Sequence, residues 1–196
     1  KEYPWVYDYH TKDWLYLSGA AGGEIYAYRT STNAWEVFEA PEPTWEDKFE
    51  EWILNPEPYG GLDVLLQIKA AKETGATKLS LIFYTRKISD ITPLAGLTNL
   101  TELDLWYNNI TDITPLAGLT NLTELYLKDN NITDITPLAG LTNLTELDLG
   151  TNNITDLNPL TGLTNLEWLS LWNNNISDLS PLAGLTNLTG LYLGGN

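Results

Sequence analysis

The chain has 196 residues, enough for one or two domains with a real core, and is 43% hydrophobic but only 18% charged. A formal net charge of −16 argues against nucleic acid, whose phosphates reward Lys and Arg, and favours encounter with basic partners. The absence of Cys excludes disulfides and thiolate metal sites, and with His10 as the one imidazole, His-based catalysis and multi-His metal sites fall away.

Residues 1–40 are crowded with rings: Tyr3, Trp5, Tyr7, Tyr9, Trp14, Tyr16, Tyr26, Tyr28, Trp35 and Phe38. The alternation in Trp14-Leu15-Tyr16-Leu17 and in Ile25-Tyr26-Ala27-Tyr28 predicts strands. Turn-rich stretches at 10–13, 18–23 and 30–33 separate them, so a three- or four-stranded antiparallel meander is expected. In so small a sheet the rings serve as its core. Exposed, they would stack on carbohydrate. The stretch faintly resembles the Trp/Tyr-rich hairpin modules of bacterial surface proteins, which implies glycan or cell-envelope binding. No Met occurs, even at position 1, so a processed or excised piece of a longer protein is expected. Residues 1–9 lack the apolar stretch of a signal peptide. No apolar run approaches the ~20 residues that span a bilayer, so no membrane insertion is expected of this segment.

Residues 41–61 form a linker marked by Pro41, Pro43, Pro56, Pro58, Gly60 and Gly61. Within it, residues 45–54 predict a short helix capped by Thr44, with Asp47 at the capping-box position. Trp45, Phe49 and Trp52 share a face at i, i+4, i+7 and should dock on the meander or on the next helix. That helix is predicted over 62–73, stopped by Gly75, with Leu62, Leu65, Leu66 and Lys69 on one face and Ile68 nearby. As a segment of 62–76 it would cap the core that follows.

From residue 77 to 196 the chain repeats itself with a period of 22. Residues 91–112 read ITPLAGLTNLTELDLWYNNITD, and this copy and those at 113–134 and 135–156 all agree at 19 of 22 positions. Looser copies occupy 157–178 and 179–196. Each full copy contains L-x-x-L-x-L-x-x-N-x-I, as in Leu100, Leu103, Leu105, Asn108 and Ile110. Leu103 and Leu105 alternate on a short strand and point inward, while Leu100, Ile110, Ile113, Leu116 and Leu119 fill the rest of one coil. A single coil cannot bury that face, but stacked coils can. The column Asn108, Asn130, Asn152, Asn174 and Asn196 falls where the chain leaves the strand, where an inward amide satisfies backbone groups beyond the ladder. Pro115, Pro137, Pro159 and Pro181 open short 3₁₀ turns. Asp112, Asp134, Asp156 and Asp178 read as turn stabilisers. Before the first full copy, residues 77–90 read as a degenerate repeat. In strict register Leu81, Phe83 and Ile88 take the core places and Arg86 the Asn place; putting Leu79 and Leu81 on the strand would need a two-residue insertion. The last unit stops at Asn196 without a cap, so the final ~15 residues are expected to be the least stable.

The pattern identifies residues 77–196 as resembling the leucine-rich-repeat family, and most of all the 22-residue class of bacterial internalin-type proteins. The resemblance implies an α/β leucine-rich-repeat solenoid with a parallel concave sheet and a convex side of 3₁₀ and short turns. The meander and the capping helix would precede it. It also implies a macromolecule-binding role and an extracellular or bacterial cell-surface location.

The three middle copies differ only at Asp104/Tyr126/Asp148, Trp106/Lys128/Gly150 and Tyr107/Asp129/Thr151. All are outward positions beside the strand, whereas convex outward residues such as Thr98, Asn99 and Thr101 are held constant. One surface varies on a fixed frame, as a recognition face would. Trp and Tyr are typical interface anchors. The expected partner-binding face comprises Tyr84, Glu102, Asp104, Trp106, Tyr107, Glu124, Tyr126, Lys128, Asp129, Glu146, Asp148, Trp168, Trp172 and Tyr192. Glu102, Glu124 and Glu146 stack at ~4.8 Å strand spacing and should repel, a strain that a cationic group of a partner would relieve. Calcium there is disfavoured, because the column lacks the mixed carbonyl and bidentate ligands it prefers. The expected partner is a basic protein or peptide, the alternative a glycan, and the chain a monomer. No cofactor is implied. The many Asn-x-Thr/Ser triplets follow from the repeat, and carboxylates on an open sheet are not desolvated enough for acid–base chemistry. No enzymatic activity is expected.

Overall fold

The structure is a computed structural model. It describes residues 43–83 and 87–196, and before them Asn33 and the backbone of four strands. The chain divides into two compact units, residues 1–44 and 45–196. In the first, β1 (Trp5–Asp8), β2 (Asp13–Gly19), β3 (Ile25–Arg29) and β4 (Ala34–Val37) pair antiparallel in chain order. The register sets Trp5 opposite Tyr16 and Tyr28 opposite both Tyr16 and Trp35. The rings of residues 1–40, whether core or surface, lie outside the described residues.

The second unit opens with α1 (Trp45–Trp52) and α2 (Leu62–Thr74). Gly75 ends α2 in a left-handed conformation at φ +63°, its N–H and that of Ala76 returning to the carbonyls of Lys72 and Ala71. The predicted face of α2 is rotated. Leu62 and Leu66 are about half exposed, while Val64, Ile68 and Ala71 enter the repeat core. Leu65 instead packs with Phe49 and Trp52 of α1. The helix is clasped between two partners, so it uses two stripes where a single amphipathic face was expected. Trp45 Nε1–H donates to the Pro93 carbonyl at 2.8 Å, and Lys72 Nζ to that of Gly96, tying both helices to the first coil.

Six short strands follow: β5 (Lys78–Ser80), β6 (Glu102–Asp104), β7 (Glu124–Tyr126), β8 (Glu146–Asp148), β9 (Trp168–Ser170) and β10 (Gly190–Tyr192). They form one open parallel sheet in chain order. Five 3₁₀ turns lie opposite, each with Pro in its first positions: Pro93, Pro115, Pro137, Pro159 and Pro181. The leucine and isoleucine columns between sheet and turns are buried, with Leu103, Leu105, Leu125, Leu127, Leu147 and Leu149 fully so. The last coil is more open: Leu179 and Leu191 are over two-fifths exposed.

Strict register fails at the first repeat. Leu79 pairs with Leu103 and Lys78 with Glu102, an offset of 24. Leu79 and Leu81 therefore take the strand places, and the two extra residues fall between Leu81 and Ile88, where the offset returns to 22: the Ile88 carbonyl accepts the Asn109 N–H as that of Ile110 accepts Asn131's. The Thr77 carbonyl accepts the N–H groups of Thr101 and Glu102, as the Thr101 carbonyl does from Thr123 and Glu124 one coil later. Phe83 is only partly buried against the core, and Arg86 lies outside the described residues.

The polar columns are internal fittings of the frame. Asn130 Oδ1 accepts the Ile110 N–H of the preceding coil at 3.0 Å, and its amide donates to the carbonyls of Leu105 and Leu127. Asn108, Asn152, Asn174 and Asn196 repeat the pattern. Oδ1 of Asp90, Asp112, Asp134, Asp156 and Asp178 accepts the backbone N–H two residues on, at 2.8–2.9 Å. Hydrogen bonds from Thr114, Thr136 and Ser180 hold Asp112, Asp134 and Asp178 below the ordinary carboxylate range.

Candidate protein-binding surface

With Leu103 and Leu105 turned inward, strand geometry aims Glu102, Asp104 and Trp106 out of the concave sheet. The next position behaves differently. Tyr107, Asp129, Thr151 and Asn173 all have positive φ, between 52° and 61°, and Gly195 has φ +81°. The chain leaves each strand through a left-handed residue, which costs any non-glycine side chain and a β-branched one most. The third varying column is therefore a turn position.

The glutamate column is answered in part from within. Lys78 makes an ion pair with Glu102. The Tyr126 hydroxyl lies 3.0 Å from Glu124 Oε2 and 2.9 Å from Glu146 Oε2, and its single proton serves one of them at a time. Burial and these two carboxylates push the Tyr126 phenol far above its usual value. Neighbouring strands thus supply part of the relief expected of a partner: an ion pair for Glu102 and one shared phenol proton for Glu124 and Glu146. Among the described residues no group of three or more His, Asp or Glu is placed to hold a metal ion.

Beside this column lies a recess of about 250 Å³, lined by Asp104, Trp106, Tyr126, Lys128 and Asp148. All five are positions at which the middle repeats differ. The Trp106 indole N–H donates to Asp129 Oδ2 at 2.7 Å. Lys128 Nζ sits 5.5 Å from the centre of the Trp106 ring and 3.9 Å from Asp129 Oδ2. Asp104 accepts the Trp106 backbone N–H, and Asp148 that of Gly150. Burial, and then the charges of Glu102 and Asp148, raise the Asp104 carboxyl above its ordinary value, although the Trp106 N–H works against that.

A second group lies at the far end of the sheet. Trp168 and Tyr192 pack with ring centres 5.4 Å apart, and Trp172 and Tyr192 are about half exposed. Gly190 and Gly194 leave room for the two indoles: a Cβ at Gly190 would stand 2.7 Å from Trp168 Cδ1, and one at Gly194 3.0 Å from Trp172 Cδ1. Tyr107 is exposed, with Lys87 Nζ over its ring and donating to its carbonyl. Desolvation lowers the Lys87 ammonium below its usual value. Tyr84 lies outside the described residues. Lys78 and Lys87 were not anticipated from the sequence: Lys78 meets Glu102 only in the shifted register.

A family model described as leucine-rich repeats in two copies matches residues 77–118, 120–162 and 164–196. The chain belongs to the leucine-rich-repeat family. Its repeats are internalin-like: internalin C2 from Listeria monocytogenes is 47% identical, with a TM-score of 0.57 over 63% of this chain and 54% of that one. The chain thus spans about half the length of that relative. The leucine-rich-repeat ectodomain of the receptor kinase SOBIR1 from Arabidopsis thaliana is 26% identical, with a TM-score of 0.54 over 60% of this chain and 69% of that one. A PEPR1–AtPEP1 structure matches at 25% identity and a TM-score of 0.51, over 60% of this chain and 18% of that one. Among curated proteins no match is found. Among the described residues no helix is long and apolar enough to cross a membrane.

Proposed function

We propose that this leucine-rich-repeat array is a protein-interaction module whose concave face binds a basic protein or peptide. One observation carries the reading: the five residues lining the concave recess are all drawn from the positions at which otherwise identical repeats differ. A frame kept constant around a variable, aromatic and acidic surface suits recognition. Trp106, Tyr107, Tyr126, Trp168, Trp172 and Tyr192 provide the aromatic contacts. Asp104, Asp129, Asp148, Glu102, Glu124 and Glu146 make the surface acidic and Lys128 adds one positive charge. The reading is of binding without catalysis. The likeness to a receptor ectodomain and to an internalin supports an extracellular or surface setting.

Selection of random displayed peptides on the immobilised chain tests this. Lys- and Arg-bearing sequences should be enriched and should lose binding to Trp106→Ala/Trp172→Ala. Selected peptides without a basic bias, or with unchanged binding to the double variant, would refute the proposal.

A further inference from the structure

We propose that the recess between Trp106 and Tyr126 is an anchor pocket for one arginine side chain of a partner. The guanidinium would stack on the indole and be neutralised by Asp104 and Asp148. The proposal rests on the reading of the concave face as a surface for basic partners and goes beyond it by placing one residue of the ligand.

The walls are aromatic and held in place before any ligand arrives. Trp106 is pinned through its indole N–H to Asp129, and Tyr126 through its hydroxyl to Glu124 and Glu146. Rings already fixed lose little side-chain freedom on binding, which is how a preorganised pocket gains affinity. The recess, at about 250 Å³, is smaller than the ~300–1,000 Å³ clefts that enclose a whole small molecule. It is sized for one long side chain.

Its charge is unanswered. Asp104 and Asp148 each use one oxygen on a backbone N–H, and among the described residues neither has a cationic partner. The charges acting on Asp104 are those of Glu102 and Asp148, both negative. Lys128, the one base in the lining, stands over the Trp106 ring and within 3.9 Å of Asp129 Oδ2, so a guest guanidinium would take its place on the indole. A guest cation would restore the balance. Arginine fits better than lysine, because a planar, weakly hydrated guanidinium stacks on an aromatic face while bonding carboxylates in its own plane.

The test is NMR titration of the full chain with N-acetyl-arginine N-methylamide, reading the Trp106 indole N–H and the backbone amides of residues 104–106, 126–128 and 148–150. The lysine and glutamine analogues serve as comparisons. Saturable millimolar binding is expected, arginine ahead of lysine and glutamine absent. Asp104→Asn/Asp148→Asn keeps both backbone acceptors and should weaken arginine binding about tenfold. Glu50→Gln/Glu73→Gln makes the same change in net charge on α1 and α2 and should leave it unaltered. Lys128→Gln removes the competing ammonium and should tighten it. Shifts spread over the whole acidic surface, or equal losses in the two double variants, would overturn the pocket. If basic peptides selected on the concave face still bind Asp104→Asn/Asp148→Asn at full strength, the pocket is wrong and the basic-partner reading survives. If no basic peptide binds the wild type, both fall.

Discussion

Asn130→Ala should be among the most damaging single changes available in the array. Its Oδ1 is the acceptor for the Ile110 N–H, and Ile110 is fully buried, so water cannot take over. The two carbonyls that its amide serves at 3.0 Å, Leu105 and Leu127, are less exposed to loss, and Lys128 O, at 3.3 Å, also accepts the Tyr107 N–H. Leu105 O also accepts from Asn108, and Leu127 O also accepts from Asn152. The cost is therefore one orphaned buried donor, about 1–3 kcal/mol, plus two weakened acceptors at a few tenths to about 1 kcal/mol each, or about 1.5–5 kcal/mol in all. Asn196 makes the corresponding bonds to Ile176, Leu171 and Leu193, but it is exposed and water can replace it. Asn196→Ala should cost less than about 1 kcal/mol. Urea titrations followed by far-UV circular dichroism compare the two on one frame. Equal losses, or a loss below about 1 kcal/mol for Asn130→Ala, would refute the view that the column works by satisfying buried backbone donors.

Three further outcomes are expected. Thr151 holds a β-branched side chain at φ +52°, and its hydroxyl is buried without a hydrogen-bond partner, so Thr151→Asn should stabilise the chain by about 0.5–1 kcal/mol in the same titration. Asp112, Asp134 and Asp178 have depressed folded values, so the stability they add is present above the unfolded carboxylate value near ~4 and is lost as pH falls through the folded one. Asp104 is raised, so its contribution fades as pH rises from the unfolded value through its higher folded one; urea midpoints from about pH 3 to about pH 7 should show Asp104→Asn gaining on the wild type towards neutrality. Gly190→Ala would put a methyl against the Trp168 indole, and near-UV circular dichroism should report a displaced ring; an unchanged spectrum would mean that the indole does not rest on that glycine.

Most of the frame was legible because a 22-residue period places every leucine, asparagine, proline and aspartate column by arithmetic. The first repeat was not, for a reason peculiar to strands. In residues 78–83 three of the four apolar residues, Leu79, Leu81 and Phe83, share one parity, and a slip of two residues leaves every side chain on the same face. Periodicity cannot separate the two registers, and the Thr77 hydrogen bonds decide between them. In α2, apolar residues surround most of the helix, and only the clasp between α1 and the first coil selects Val64, Ile68 and Ala71 over Leu62 and Leu66. The candidate surface was legible as a set of columns. Its internal pairings were not, because Tyr126 reaching Glu124 and Glu146 depends on rotamers across two strands.

The left-handed exit from each strand has a consequence for how such an array can diversify. At the positions of Asp104 and Trp106 the backbone sets no limit, and only the neighbouring side chains restrict the choice. At the position of Tyr107 the backbone itself is the limit. Asn, Asp and Gly sit there cheaply, as at Asn173, Asp129 and Gly195, whereas a tyrosine or threonine carries a conformational penalty in every molecule, bound or free. A lineage acquiring a new partner would change the first two places as their neighbours allow and the third within a short alphabet. A bulky residue at the third place marks a coil whose backbone has been strained to keep that side chain.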